Sequence, residues 1–287
     1  MALIDNKTEL FIIESCKQTH GVVSADLVNK LMSQLDCDIE SLQQALLPIA
    51  AKFAQAPISS FYVGAVIFDK QTGNMYLGAN LEFKRQALSL VVHAEQAAIA
   101  NAWINGAKEI TSIAINAAPC GFCRQFMNEL STAGTLDIIL PTGRYSLEEL
   151  LPCDFGPQDL GNQEALMSQI KGDIDIDLPI SRELKEQVKL AYVPYSHNMS
   201  AAELVLTDGR VFYGRYAENA AYSPSLSPMS SALSQLALAG EALSEVEVER
   251  ITLVETKGVE NQKAVAEAVL SNLNGESSLV HHVFESK

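Results

Sequence analysis

Along residues 1–45, apolar positions recur at turn-like spacing, with Leu10, Ile13, Leu27, Leu31 and Leu35 marking the pattern, and this predicts short helices. They read as a small cap or dimer-contact element. A longer helix is expected from Ser41, whose capping-box partner is Gln44, through Leu46, Leu47, Ile49 and Phe53 to Pro57. Pro48 inside its first two turns argues for a later start. The apolar runs Val63 to Phe68 and Met75 to Ala79, separated by Asp69-Lys70-Gln71-Thr72-Gly73, form a hairpin pattern. An Ala-rich helix then covers His93 to Ile104 and stops near Gly106. A strand over Thr111 to Ala117, a helix over Gly121 to Leu130 and a strand over Leu136 to Leu140 follow, and Ser146-Leu147-Glu148-Glu149 caps one further helix. Hairpin, helix, strand, helix, strand describes an α/β fold in which helices cover a mixed, mostly buried sheet, a three-layer α-β-α core.

Residues 159–178 are polar and contain Lys171-Gly172-Asp173-Ile174-Asp175, and they read as a linker. Beyond them the pattern repeats. A helix over Arg182 to Ala191 leads to Pro194-Tyr195-Ser196 as an earlier one leads to Pro57-Ile58-Ser59, and Thr207-Asp208-Gly209-Arg210-Val211-Phe212-Tyr213-Gly214 echoes Thr72-Gly73-Asn74-Met75-Tyr76-Leu77-Gly78. At that spacing Glu82 falls opposite Glu218. The expected organisation is an N-terminal helical segment (1–45), a first α/β domain (46–158), the linker (159–178) and a degenerate duplicate (179–287).

With 287 residues, 48% of them hydrophobic, the chain is long enough for more than one core. The N-terminus carries no basic leader, and no stretch approaches the roughly 18 apolar residues of a membrane span. A cytoplasmic protein with no membrane association is expected. Lys and Arg number 20 against 35 Asp and Glu, a formal charge of −15, which disfavours nucleic acid as a partner. Five cysteines with one C-x-x-C point to a reducing compartment and a metal site, and Cys16, Cys37 and Cys153 read as buried free thiols.

The chemistry concentrates at His93-Ala94-Glu95 and Pro119-Cys120-Gly121-Phe122-Cys123. One imidazole and two thiolates suit a zinc ion with one position left open, and Glu95 is a carboxylate not needed as a ligand. A C-x-x-C alone is shared by redox dithiols and structural zinc knuckles, but a structural zinc normally takes four protein ligands, and only three are evident. H-x-E with P-C-x-x-C is the known signature of the zinc-dependent base deaminases. In the chemistry this suggests, zinc activates a water for attack on C4 of an aminopyrimidine while Glu95 moves protons to ring N3 and then to the departing amino group. The duplicate has Ser227, Pro228, Met229, Ser230 and Ser231 where the His-x-Glu stood, and no cysteine follows Cys153. One zinc per chain is therefore expected.

The sequence resembles the long, homodimeric bacterial type of cytidine deaminase over nearly its whole length. The likeness is carried by Phe61-Tyr62-Val63-Gly64-Ala65, Gly78-Ala79-Asn80-Leu81-Glu82-Phe83, His93-Ala94-Glu95-Gln96, Pro119 through Glu129, and Tyr216-Ala217-Glu218-Asn219-Ala220-Ala221. The resemblance implies hydrolytic deamination of free cytidine and 2′-deoxycytidine in pyrimidine salvage, with His93, Cys120 and Cys123 as zinc ligands and Glu95 as the proton carrier. It implies that Asn80 and Glu82 hold the ribose hydroxyls, that Leu81 between them is substrate-binding, that Phe61 lies against the base, and that the backbone near Ala94 and the cysteine loop read the pyrimidine edge. It also implies a homodimer with shared sites, in which Phe155, Ala220 and Ala221 of one subunit cover the base in the other. On residues alone, Asn80 as a strand-end cap and Glu82 as a surface charge stay open. So do a deaminase of guanine or of a tRNA adenosine, and a zinc scaffold without catalysis.

Overall fold

The computed structural model describes residues 4–168, 174–274 and 278–285. In chain order the elements are α1 (Asn6–Gln18), β1 (Val22–Val23), α2 (Ala25–Leu35), α3 (Ile39–Ala51), β2 (Gly64–Asp69), β3 (Met75–Ala79), α4 (Ala94–Ile104), β4 (Ile110–Ile115), α5 (Gly121–Met127), β5 (Asp137–Leu140), β6 (Gly143–Ser146) and α6 (Leu147–Leu150). The second half contributes α7 (Arg182–Lys189), β7 (Ser200–Leu206), β8 (Val211–Arg215), α8 (Pro228–Leu238), β9 (Val248–Thr256), α9 (Lys263–Leu270) and β10 (Leu279–Phe284).

Strand order is β1-β3-β2-β4-β5-β6 in the first sheet and β10-β9-β7-β8 in the second. Each sheet is mixed: β4 runs parallel to β5 and β10 parallel to β9, with the other pairs antiparallel. The run β3-β2-β4-β5 thus has the same connectivity as β8-β7-β9-β10. Even the register shift is repeated, at Phe68/Asp69 between β2 and β4 and at Val205/Leu206 between β7 and β9. Alternate residues of the first sheet enter different cores: Ala65, Ile67, Ile113 and Ile115 pack with α4, whereas Val66, Ala114 and Ile139 pack with Leu46, Leu47 and Ile49 of α3. With both faces covered, β2 to β5 read as mostly apolar runs, whereas the edge strand β6 is polar and exposed. On the second sheet, Ala201 and Val254 meet Leu184 and Val188 of α7, and Ala202, Leu204 and Leu253 face the α8 side. That second core is continuous with the α4 core. The α/β, three-layer, duplicated reading holds, and the two copies are joined through their buried helices.

Glycine makes that burial possible. A Cβ on Gly78 would lie 2.2 Å from Ala98 N and 2.3 Å from Ala94 O of α4; one on Gly214 would lie 2.0 Å from Pro228 O and 2.3 Å from Ala232 N of α8. These are backbone atoms, so neither helix can yield by turning a side chain. Gly78→Ala is expected to destabilise the chain by about 1–3 kcal/mol, toward the upper end of ordinary overpacking, and to shift α4. Denaturant unfolding of the variant checks this, and an unchanged midpoint would contradict the close approach.

Several local expectations are corrected. The helix expected from Ser41 begins at Ile39, because Asp38 is its N-cap and accepts from Ser41 N at 2.8 Å; Pro48 is accommodated inside it. Ser41 is thus the third residue of the first turn, not its cap. Within the stretch read as a linker, Ile174 and Ile176 are buried against α7 and β7, while Lys171, Gly172 and Asp173 lie outside the described residues. Of the three cysteines read as buried, only Cys16 is; Cys37 is half-buried and Cys153 exposed. Cys153 sits in a turn after α6 with φ +57°, where its side chain has no core to enter.

Candidate active site

Two helix N-termini build the site. His93 is the N-cap residue of α4 and Cys120 that of α5, so both stand where the backbone is still extended and Cys123 follows within the first turn of its helix. His93 Nδ1 and Cys120 Sγ are 3.6 Å apart, as are the two sulfurs, and the three donor atoms all lie within 4.8 Å of one another. Tetrahedral sulfur ligands at a Zn–S distance of about 2.3 Å stand about 3.8 Å apart. Two thiolates and one neutral imidazole at this spacing fit zinc, and among the described residues they are the one His/Cys/Asp/Glu group that does so. The His93 ring stacks on Phe122 at 5.5 Å.

Electrostatics within the donor group reflect its crowding. The hydrogen bond with Cys123 holds the Cys120 thiol down at about 3 against the effect of burial, and His93 adds to the lowering. The same bond pushes Cys123 up, with burial and Glu95 acting in the same direction, and the Cys120 contact raises His93. Glu95, only 4% exposed, is raised by burial, partly offset by its contacts to Cys123 and His93.

A cavity of about 320 Å³ opens onto this group and is lined by Phe61, Asn80, Glu82, His93, Ala94, Glu95 and Cys120 among others. Cys123 lies behind it, fully buried. Glu82 is held from the Pro57-Ile58-Ser59 turn: it accepts from Ile58 N at 2.8 Å, from Ser59 N at 3.0 Å and from the Ser59 hydroxyl. Burial pushes its pKa up, but these donors outweigh that and hold the carboxyl below its usual range. Asn80 accepts from Val63 N at 2.8 Å and donates to Phe61 O at 2.9 Å, which fixes the segment that presents the exposed Phe61 ring. Leu81 points elsewhere: its side chain is buried in the core, and its backbone pairs with Val92 and Gln55. Phe155, Ala220 and Ala221 stand outside the cavity within one chain.

Ser59 and Gln96 were not singled out from sequence, although both stand in motifs that were. The signal for Ser59 was the repeated Pro-x-Ser. In the duplicate, Glu218 accepts from Tyr195 N at 2.8 Å, Ser196 N at 3.1 Å and the Ser196 hydroxyl, the same cradle as that of Glu82. Gln96 closes the α4 N-terminus by accepting from His93 N at 3.2 Å and donates to Pro224 O at 2.9 Å. Among the described residues the duplicate has no His/Cys/Asp/Glu group of this kind. Ser227 is the N-cap of α8 where His93 is that of α4, and fully buried Met229 stands where Glu95 does.

The cytidine and deoxycytidylate deaminase zinc-binding region is matched twice, over residues 38–136 and 147–267. The chain belongs to this family. It is similar to a cytidine deaminase of Aliivibrio fischeri, 42% identical over 90% of this chain and 88% of that protein, and to one of Aeromonas salmonicida, 46% identical over 81% and 80%. A cytidine deaminase of Mycobacterium tuberculosis with a solved structure is 27% identical, covering 42% of this chain and 98% of its own, at a TM-score of 0.38. As a member of the deaminase family the chain is an enzyme, a hydrolase, and zinc is its metal. The duplication read from the sequence agrees with two matched deaminase regions, and no described helix is long and apolar enough to cross a membrane.

Proposed function

We propose that this deaminase hydrolyses free cytidine and 2′-deoxycytidine to uridine and 2′-deoxyuridine plus ammonia, in pyrimidine salvage, as a cytoplasmic homodimer with shared sites. The observation that carries the reading is Glu95: a buried carboxylate beside a three-donor zinc group, in one cavity with a second, hydrogen-bonded carboxylate. His93, Cys120 and Cys123 would hold the zinc, which when bound lowers the pKa of water at its open position to about 7. Glu95 accepts a proton from the attacking water and delivers it to ring N3 as C4 becomes tetrahedral; it then takes the proton of the new C4 hydroxyl and passes it to the amino group, so that C4=O forms as the C4–N bond breaks and ammonia departs. Ala94, at the cavity wall, packs at the pyrimidine edge, and Phe61 covers the face of the base.

At the sugar end, the Glu82 carboxylate accepts from ribose hydroxyls, and Asn80 keeps one amide N–H for the same purpose after bonding Phe61 O. A fixed negative charge there also repels a 5′-phosphate. Leu81 contributes by the backbone that positions its two neighbours. In this reading residues 46–158 are the catalytic domain and 179–287 a non-catalytic copy, with 1–45 as a helical segment and 159–178 as the connection, whose Ile174 and Ile176 pack into the second copy. Phe155, Ala220 and Ala221 cover the base of the partner's site.

The deciding experiment compares deamination of cytidine, deoxycytidine, deoxycytidine monophosphate, adenosine and guanine by the purified zinc enzyme. Turnover of the two free pyrimidine nucleosides is expected; preference for the monophosphate would overturn the role of Glu82, and preference for a purine would overturn the substrate class. Glu82→Gln is expected to raise KM for cytidine about tenfold or more, since a hydrogen bond to a charged group is worth about 1.5–3 kcal/mol, while kcat changes less. Because Glu82 is held below the usual carboxylate range, this contribution to KM persists at neutral pH and is lost only as acid protonates the group.

A further inference from the structure

The two helices that present the donor group have their C-terminal carbonyls met by residues of the duplicate. At the end of α4, Arg215 donates from Nη1 to Trp103 O at 3.0 Å and lies 5.0 Å over the Trp103 ring, with its Nε fixed by Gln187 Oε1 at 2.6 Å. This guanidinium is buried, and a cation there also opposes the negative end of the helix dipole. At the end of α5, Asn219 donates from Nδ2 to Gln125 O at 2.8 Å. Asn219 is itself held by its own loop, its N–H on Ser225 Oγ and its Oδ1 accepting from Ala221 N, both at 3.0 Å. The loop is tethered by Glu129, two residues beyond α5. That buried carboxylate accepts from Ala220 N at 2.6 Å, Tyr192 OH at 2.7 Å and Tyr195 OH at 3.0 Å.

We infer that the duplicate serves its own chain as the C-terminal cap of both donor-bearing helices, with Arg215 and Asn219 as positioning residues. The physical reason is length. A helix leaves its last four carbonyls unpaired, and α5 has only seven residues, fewer than a helix needs to be stable by itself in water. Fraying from its C-terminus would reach Cys123 within one turn. Rotation of α4 would carry His93 away from the thiols, and Gln96, bonded both to His93 N and to Pro224 O of the duplicate, resists the same movement near the N-terminus. A copy without ligands or a proton carrier thereby acts on metal retention in the copy that has both.

The inference rests on His93, Cys120 and Cys123 being the zinc ligands, and its test separates the two. Zinc release to a chelator is measured for the full-length zinc enzyme, for Asn219→Ala and Arg215→Met, and for Val254→Ala as a destabilised control in the outer core of the duplicate. Amide exchange is followed over residues 94–104 and 121–127. Release about tenfold faster than wild type, the scale at which supporting partners of metal ligands act, is expected in the first two variants. Faster exchange is expected in α5 for Asn219→Ala and in α4 for Arg215→Met, with neither effect in Val254→Ala. Release and exchange indistinguishable from Val254→Ala in both variants would overturn the capping role. If the wild type holds no zinc, the ligand assignment fails and exchange alone decides the capping. Asn219→Ser replaces Asn219→Ala in the same comparison if the alanine variant does not fold.

Discussion

Glu95→Gln is expected to lower kcat for cytidine by about 10²–10⁴-fold, the usual worth of a positioned general acid-base group, while the protein keeps its zinc and its fold. Glutamine matches glutamate in shape, so the cavity wall beside His93 and Ala94 is preserved. It cannot accept and release a proton at neutral pH. The loss corresponds to about 3–5 kcal/mol of transition-state stabilisation. Stability should not fall, since burial already disfavours the Glu95 charge and a neutral amide removes that penalty. The expected signature is therefore low kcat, KM near wild type, full zinc content and an unfolding midpoint at or above that of wild type. Turnover within a few-fold of wild type would remove Glu95 from the proton path. Loss of zinc together with activity would mean that Glu95 holds the metal instead.

Glu95 and the three donors were legible in the sequence because metal chemistry restricts the residue types: imidazole, thiolates and a spare carboxylate at helix-start spacing leave few other uses. The strands were legible for a different reason. Burial on both faces turns them into unbroken apolar runs, bounded by turns such as Asp69 to Gly73. Capping was less so, since Asp38 and Ser41 both suit an N-terminus and the choice depends on which carboxylate or hydroxyl reaches the third backbone N–H. Least legible were the long-range polar contacts. Glu82 could be placed opposite Glu218 by the repeat, yet that its carboxylate is gripped by Ser59, 23 residues away, is a property of two loops meeting. Arg215 with Trp103 and Asn219 with Gln125, separated by 112 and 94 residues, have no local pattern at all. The same holds for Ile174 and Ile176, which a polar neighbourhood disguised as linker and which the α7 face buries.

The duplicate also clarifies what catalysis demands of this fold. Its Glu218 cradle, its close glycine approach at Gly214 and its strand order repeat those of the first copy. Beyond the added edge strands β1 and β6 and the helix α6 of the first copy, the difference that bears on the chemistry lies at the N-terminus of one buried helix and in the loop after one strand. With Ser227 and Met229 at the α8 start, the same scaffold has a stable cap and a filled core. In the first copy a polar ring and a carboxylate, His93 and Glu95, take the places of serine and methionine, and the α4 N-terminus is closed by Gln96 instead. A buried carboxylate whose charge burial disfavours is a local departure from stability.

Cys120→Ala is accordingly expected to abolish deamination to the background of the assay and to reduce zinc content to well under one per chain. Removing a thiolate leaves one imidazole and one sulfur, too few donors to hold a catalytic zinc. Cys120 is the exposed member of the pair and stands at the cavity wall, whereas Cys123 is buried behind it. The substitution should therefore leave the core intact, and added zinc should not restore turnover. In the wild type, chelation should give the same loss, reversed by zinc. Binding should weaken as pH falls: both thiols must be deprotonated to coordinate, the bond with Cys120 and burial push Cys123 up, and acid returns the protons that the metal displaces. Metal analysis with cytidine turnover across a pH series checks all of this. A Cys120→Ala protein that still carries one zinc and deaminates cytidine would show that the reaction runs from another group of residues.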